Sequence, residues 1–215
     1  MDEFDRQLDV IGTLGIATLT GISKGRLAES LEPLREVAAT IRVTSESSSN
    51  RQSFVVVPDL RGGSAADLVP FMRLPDSERP GILDRNHGEA GLAGYAPLDV
   101  LQVPPGQPYL LVDIDRGDDF LGVRPRDAVA SITGAGRTPL TITEGVMLQL
   151  VRPDLLQRNH CFMLAGSRRG DKRVPALWIS DRAPKLGWCW EGNPHTWLGT
   201  ASAGRRIAAK VPQTS

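Results

Sequence analysis

Four tryptophans, Trp178, Trp188, Trp190 and Trp197, fall within twenty residues near the C-terminal end, and the chain has no others. An indole brings a large apolar face and a single N–H donor. Four so close together must fill a core or wall a binding site, and the rest of the fold has to accommodate one or the other. The sequence around them is rich in charge and in turn formers. Gly166-Ser-Arg-Arg-Gly-Asp-Lys-Arg173 precedes the first, and Gly192-Asn-Pro-His195 separates the third from the last. Such residues shape loops rather than continue strands.

The chain can bury a real core without disulfides or metal. Its 25 acidic and 25 basic residues cancel, so no global field favours nucleic acid or an anionic membrane. The N-terminus, Met1-Asp2-Glu3, is acidic and lacks the apolar stretch of a secretory signal. No apolar run approaches the roughly 18–20 residues of a membrane span. With Cys161 and Cys189 the only cysteines, free thiols in a reducing cytoplasm are expected.

Periodicity divides the chain into an N-terminal helical segment (1–43), an α+β core (51–203) continuous with it, and a loosely ordered tail (204–215). Phe4, Leu8 and Ile11 make one helical stripe. Ser23 is a candidate N-cap for a second helix carrying Leu27, Leu31, Leu34 and Val37, which Pro33 should kink or split. A polar linker at 45–50 leads to a strand at 54–57, stopped by Pro58. Residues 58–108 read as irregular, with a strand near 71–74. A strand at 109–115 is expected to turn at 116–119 and pair with 120–123 as a hairpin. A helix over 125–133 follows. Thr141-Ile-Thr-Glu144 has the spacing of a capping box and should open another helix. Stretches 161–165, 174–180 and 186–190 predict a β-meander. The fold class is therefore α+β, with N-terminal helices packed on a mixed or antiparallel sheet and a C-terminal meander.

Trp188 and Trp190 are two apart, so on a strand they share a face, and Trp178 could join them if the register allows. The alternative is that the rings fill the core. The 166–173 run resembles an anion cradle in which Arg168, Lys172 and Arg173 hold a carboxylate or phosphate, with Asp171 orienting them or acting as a base. The alternative is an exposed basic turn. It lacks P-loop spacing. His195, between Asn193-Pro194 and Trp197, is a general acid–base candidate, though a lone histidine is more often structural. His160, Cys161, Cys189 and His195 match no zinc spacing, so no metal is expected, and no cofactor motif is present. Asp113-x-Asp115-x-Gly-Asp118-Asp119 departs from a calcium loop in its glycine and at position twelve, and reads as a strand end running into an acidic turn.

The runs Gly170-Asp-Lys-Arg-Val-Pro-Ala-Leu-Trp-Ile-Ser180 and Pro184-Lys-Leu-Gly-Trp-Cys-Trp-Glu-Gly-Asn-Pro-His-Thr-Trp-Leu-Gly199, with Tyr109-Leu-Leu-Val-Asp113 and Gly136-Arg-Thr-Pro-Leu-Thr-Ile-Thr-Glu-Gly145, resemble an uncharacterised actinobacterial protein family, a domain of unknown function. The likeness extends over the whole chain. It implies a bacterial cytosolic protein and supplies no reaction. Two positions depart from the pattern: His160 stands where such sequences typically have Asn, and Arg169 where they often have Cys.

The functional expectation is a small-molecule-binding protein, or an enzyme acting on a small anionic organic substrate. Its site would draw on Arg168, Arg173, Trp178, Trp188, Trp190, Asn193 and Trp197, with His195 and Asp171 for proton transfer. The alternative is a non-catalytic interaction module using the Trp/Arg patch, with a homodimer among its partners.

Overall fold

The apolar stripe of Phe4 and Ile11 produces α1 (Glu3–Thr13), started by Asp2, whose carboxylate accepts the Asp5 N–H at 2.8 Å. The structure, a computed structural model, describes residues 2–41 and 50–209. After α2 (Ile16–Thr20), Ser23 caps α3 (Lys24–Leu31) by accepting the Arg26 N–H. Pro33 then splits the helical run rather than kinking it, because a ring without an N–H fits only where a new helix, α4 (Leu34–Ala39), begins. The linker expected at 45–50 lies outside the described residues except for Asn50.

Two sheets follow. The chain runs through β1 (Arg51–Val57), α5 (Ala65–Leu68), β2 (Ile82–Leu83), β3 (Ala96–Pro97), β4 (Tyr109–Asp115), α6 (Pro125–Gly134), β5 (Thr138–Pro139) and α7 (Ile142–Val151). It continues through β6 (Cys161–Met163), β7 (Ser167–Arg168), β8 (Arg173–Ser180), β9 (Ala183–Trp190), β10 (Leu198–Thr200), β11 (Ser202–Ala203) and β12 (Arg205–Ala208). The first sheet is antiparallel: β4 lies between β1 and the β11–β12 segment, and β11 pairs on with β5. The second is mixed, in the order β10-β6-β8-β9-β2, with β6, β8 and β9 forming the antiparallel meander. The fold is α+β.

Gln7 ties the helices to the first sheet. Fully buried, it donates to the Phe54 carbonyl at 2.9 Å and accepts the Val56 N–H at 2.8 Å, which satisfies the outer edge of β1. The capping box forms as expected: the Thr141 hydroxyl takes the Glu144 N–H, and the Glu144 carboxylate takes the Thr141 N–H. The carboxylate sits at zero exposure because Arg206 from β12 grips it with two nitrogens and the Tyr109 hydroxyl donates to it. Along α7, Gly145 leaves room for Leu164, whose side chain would lie 2.1 Å from any Cβ there. One hydrophobic cluster runs through the N-terminal helices, α7 and both sheets.

Three expectations are corrected. Residues 120–123 do not form a hairpin with β4; residues 118–120 make a 3-10 turn, and the strands beside β4 come from residues 51–57 and 202–208. Near 71–74 there is a 3-10 turn and an isolated Leu74–Ser77 bridge instead of a strand. Residues 205–208, placed in a loose tail, are β12, because β4 would otherwise carry an unpaired edge.

Candidate functional site

Only two residues, Asp181 and Arg182, join β8 to β9, both with left-handed backbones (φ 51° and 60°). That is the geometry a tight hairpin requires, and it fixes the register. Trp178 faces Lys185, Pro175 faces Trp188 and Arg173 faces Trp190. Side chains alternate along a strand, so Trp178 shares its face with Lys185, Gly187 and Cys189, while Trp188 and Trp190 take the other. The continuous wall of Trp178 with Trp188 and Trp190 is therefore not built. Gly187 reflects the same register: Trp178 lies over it, its ring 2.0 Å from where a Cβ would stand.

Trp178 meets Trp197 instead, edge to face, with ring centroids 6.5 Å apart at 77°. The sheet order explains this. At one end of the second sheet, β10 and β6 begin while β8 ends. The Trp197 carbonyl accepts the Cys161 N–H at 3.0 Å, and Leu198 pairs with Cys161. A cleft of about 420 Å³ opens there, lined by Trp178, Trp197, Cys161, Ile179 and the turns bearing Arg158–Asn159 and Asp181–Arg182. Asn159 (φ 65°) joins Asp181 and Arg182 in the left-handed region, so three of the five described non-glycine residues with positive φ border this one cleft. Each costs on the order of 1 kcal/mol or more and is held in place by its surroundings.

The charge of the cleft is lopsided. Among the described residues, the Arg158 and Arg182 guanidinium groups have neither a carboxylate within salt-bridge reach nor a side-chain hydrogen bond, and only Asp181 opposes them in the lining. The Cys161 thiol is buried, and burial pushes its pKa up, which suits wall material rather than a nucleophile. His195 stacks behind Trp197, centroids 5.4 Å apart and tilted 52°, and burial pulls its pKa down. Its carbonyl accepts the Gly122 and Leu198 N–H groups, anchoring the 191–197 segment.

The basic run lies at the other end of β8, roughly 25 Å along an eight-residue strand. Its guanidinium groups do not converge on an open space. The Asp171 carboxylate stands 3.6 Å from Arg169 and 3.4 Å from Arg173. Arg173 also covers the Trp188 ring at 4.5 Å, and Trp188 donates its N–H to the Asn86 carbonyl at 3.0 Å. Arg168 turns inward to the Ala165 and Ser167 carbonyls. Trp190 packs edge-on to Trp188 at 4.8 Å and is 44% exposed. Asn193 is exposed on the loop, its N–H bound to the Trp190 carbonyl. Asp171 is thus held among arginines at the β8 start, while His195 packs on Trp197; they are not joined.

Sequence reasoning missed a buried charge device. Arg116, 2% exposed, grips Asp118 with two nitrogens at 2.7 and 2.6 Å and donates to the Leu155 carbonyl. Asp118 also meets His160 Nδ1 at 3.1 Å. Burial pushes the Asp118 carboxyl up, but these partners outweigh it and hold it below the usual range. Arg116-Gly-Asp118 is indeed a turn, with Gly117 at φ 89° where the Thr200 carbonyl passes too close for any Cβ. What the tripeptide alone did not show is that its two charges bond each other. Arg158 and Arg182 were missed because each sits on an unremarkable turn, and only the strand order brings them together. Among the described residues, no group of three His, Cys, Asp or Glu side chains is placed to hold a metal, and no helix is long and apolar enough to cross a membrane.

No curated protein and no solved structure matches the chain. A family model does, over residues 10–209, and takes in both sheets, the Trp178–Trp197 cleft and the basic run. The chain belongs to that family, DUF5701, described as a family of unknown function.

Proposed function

We propose that this protein binds a small anionic organic molecule in the cleft between Trp178 and Trp197, with Arg158 and Arg182 as its charge anchors. The observation that carries the reading is the pairing of two edge-to-face indoles with two guanidinium groups that have no carboxylate partner among the described residues. Indole walls offer apolar surface and arginine forks recognise carboxylate or phosphate, a combination that suits an aromatic acid. The reading stops at binding. Cys161 is the nucleophile nearest the ligand, and burial disfavours its thiolate. Neither His195 nor Asp171 lines the cleft. The roles in ligand binding first considered for Arg168 and Arg173 pass to Arg158 and Arg182. We place the protein in a reducing bacterial cytoplasm, in keeping with its two free cysteines.

Native mass spectrometry of freshly purified protein, beside its denatured mass, tests this. An extra non-covalent mass that is lost in Arg182→Ala supports the reading. Titration with indole-3-acetate should then quench indole fluorescence, and Arg158→Ala or Arg182→Ala should each weaken it about tenfold or more. Affinity unchanged from the parent chain in both variants would refute the assignment.

A second reading has its own observation. Trp190 is 44% exposed beside the Arg173-on-Trp188 stack, and such Trp/Arg surfaces serve as contact hot spots. In that reading the protein is a non-catalytic interaction module that self-associates through this face. A dimer in the same native spectrum, abolished by Trp190→Ala, would put it first.

A further inference from the structure

A second cavity, of about 380 Å³, contains none of the tryptophans. It lies between the loop that follows β1, the start of α7 and residues 92–107. Its walls are about equally polar and apolar, the apolar part made by Pro58, Leu60, Leu92 and Val103 beside the phenol rings of Tyr95 and Tyr109. Most polar groups at its surface are already engaged within the protein. Ser64 Oγ accepts the Ala66 N–H, Thr141 Oγ1 the Glu144 N–H and Ser167 Oγ the Ile142 N–H, while the Tyr109 hydroxyl donates to Glu144. The two charges in the lining, Asp59 and Arg61, stand 3.7 Å apart and offset each other. Hydrogen-bonding capacity remains, among the described residues, on the Tyr95 hydroxyl, which is buried without a hydrogen-bond partner, and on the Thr143 hydroxyl and the Gln107 amide, neither of which has a side-chain partner.

We propose that this cavity is a second ligand site, for a compact uncharged ring compound bearing one carboxamide-like group. The ring would lie against Tyr95, Leu92 and Val103, and the amide would exchange hydrogen bonds with Thr143 and Gln107. A neutral ligand follows from the lining. An ionised group would lose water without meeting an unspent opposite charge, since Asp59 repels an anion where Arg61 attracts it. An amide instead meets, in the same lining, hydroxyls that donate and accept and a second amide. The contrast with the Trp178–Trp197 cleft, where two guanidinium groups have no carboxylate partner among the described residues, makes the two sites chemically distinct. This site does not depend on the function proposed for that cleft.

Benzamide and benzoate have nearly the same shape and differ in charge, so they serve as probe and control. In the isotope-labelled full chain, benzamide is expected to shift the resonances of Leu92, Tyr95 and Thr143 and leave the Trp178 and Trp197 indole N–H signals in place. Benzoate at the same concentration should leave the cavity unperturbed. Val103→Trp, which fills the space, should weaken benzamide more than tenfold. Thr143→Val, which keeps the shape and removes the hydroxyl, should weaken it about fivefold without altering the folded spectrum. The proposal is overturned if benzamide moves no resonance at the cavity, if benzoate moves the same resonances equally, or if benzamide binds Thr143→Val as tightly as it binds the parent chain.

Discussion

The β8–β9 hairpin and the loop after it carry four indoles, in two pairs that behave differently. Trp178, with Trp197, encloses a cleft at one end of the sheet, beside arginines that have no carboxylate partner among the described residues. Trp188, with Trp190, forms an open platform on the other face, its charges already matched by Asp171. Both pairs come from one short stretch of the same composition. What separates them is parity, set by a two-residue turn. Composition located the indoles, and only the register says which of them can act together.

The sharpest way to break the contrast is Gly187→Val. Its side chain would occupy the volume of the Trp178 ring, so the substitution should cost about 3 kcal/mol by urea unfolding and abolish ligand binding at the cleft. The Trp188–Trp190 platform, on the opposite face, should keep its contacts. Unchanged stability would mean that Trp178 does not lie on this backbone.

Acid should act on the platform side. His87 is 2% exposed with no hydrogen-bond partner at either ring nitrogen, and burial holds its pKa below the usual 6.5. The Leu186 backbone and Asp84 favour protonation, Arg169 and Arg173 oppose it, and Tyr95 packs edge-on, with burial outweighing the rest. The unfolded chain therefore takes up the proton first. Stability is full above about pH 6.5 and declines as the pH falls through that value towards the depressed folded one. His195, also depressed, adds a decline of the same sign. Thermal melts from pH 7.5 to 5 should therefore be steeper for the parent than for His87→Phe. Equal slopes would remove His87 from the account. The turn that receives the Trp188 N–H, at Asn86, should show lower amide protection factors in acid, with the slower intrinsic exchange at low pH divided out.

Trp190→Ala is a smaller change. A ring already 44% exposed should cost under about 1 kcal/mol and leave cleft binding intact. Trp178→Ala should abolish it, and equal effects in a ligand titration would erase the distinction between the pairs. Smallest is Arg173→Gln, which removes the cation from the Trp188 face for roughly 0.5–1 kcal/mol and should shift the emission of that indole alone.

Local signals were legible where local physics decides. Ser23 caps its helix, and the Thr141–Glu144 box sits where its spacing placed it. The shared face of Trp188 and Trp190 follows from period two alone. The Trp178 side did not follow, because the turn that sets it is Asp181–Arg182 and carries none of the Asn-Gly or Asp-Gly chemistry that marks a two-residue hairpin. Residues 120–123 looked like the partner of β4 because they are near and apolar. The actual neighbour, β12, lies some ninety positions on and has arginine at two of four positions, one of them spent on buried Glu144.

That pairing has a consequence for how the chain is made. β4 sits between a strand completed early in synthesis and one completed near the end of the described sequence. While residues 202–208 are still inside the ribosome, a nascent chain holds Tyr109–Asp115 with one side unzipped and Glu144 without its arginine. The first sheet can close only after the second sheet's strands have emerged, so its final step is a long-range one, slow by topology. A chain cut after Ala203 would be stranded at that stage, a candidate for capture by chaperones or by another copy's β4.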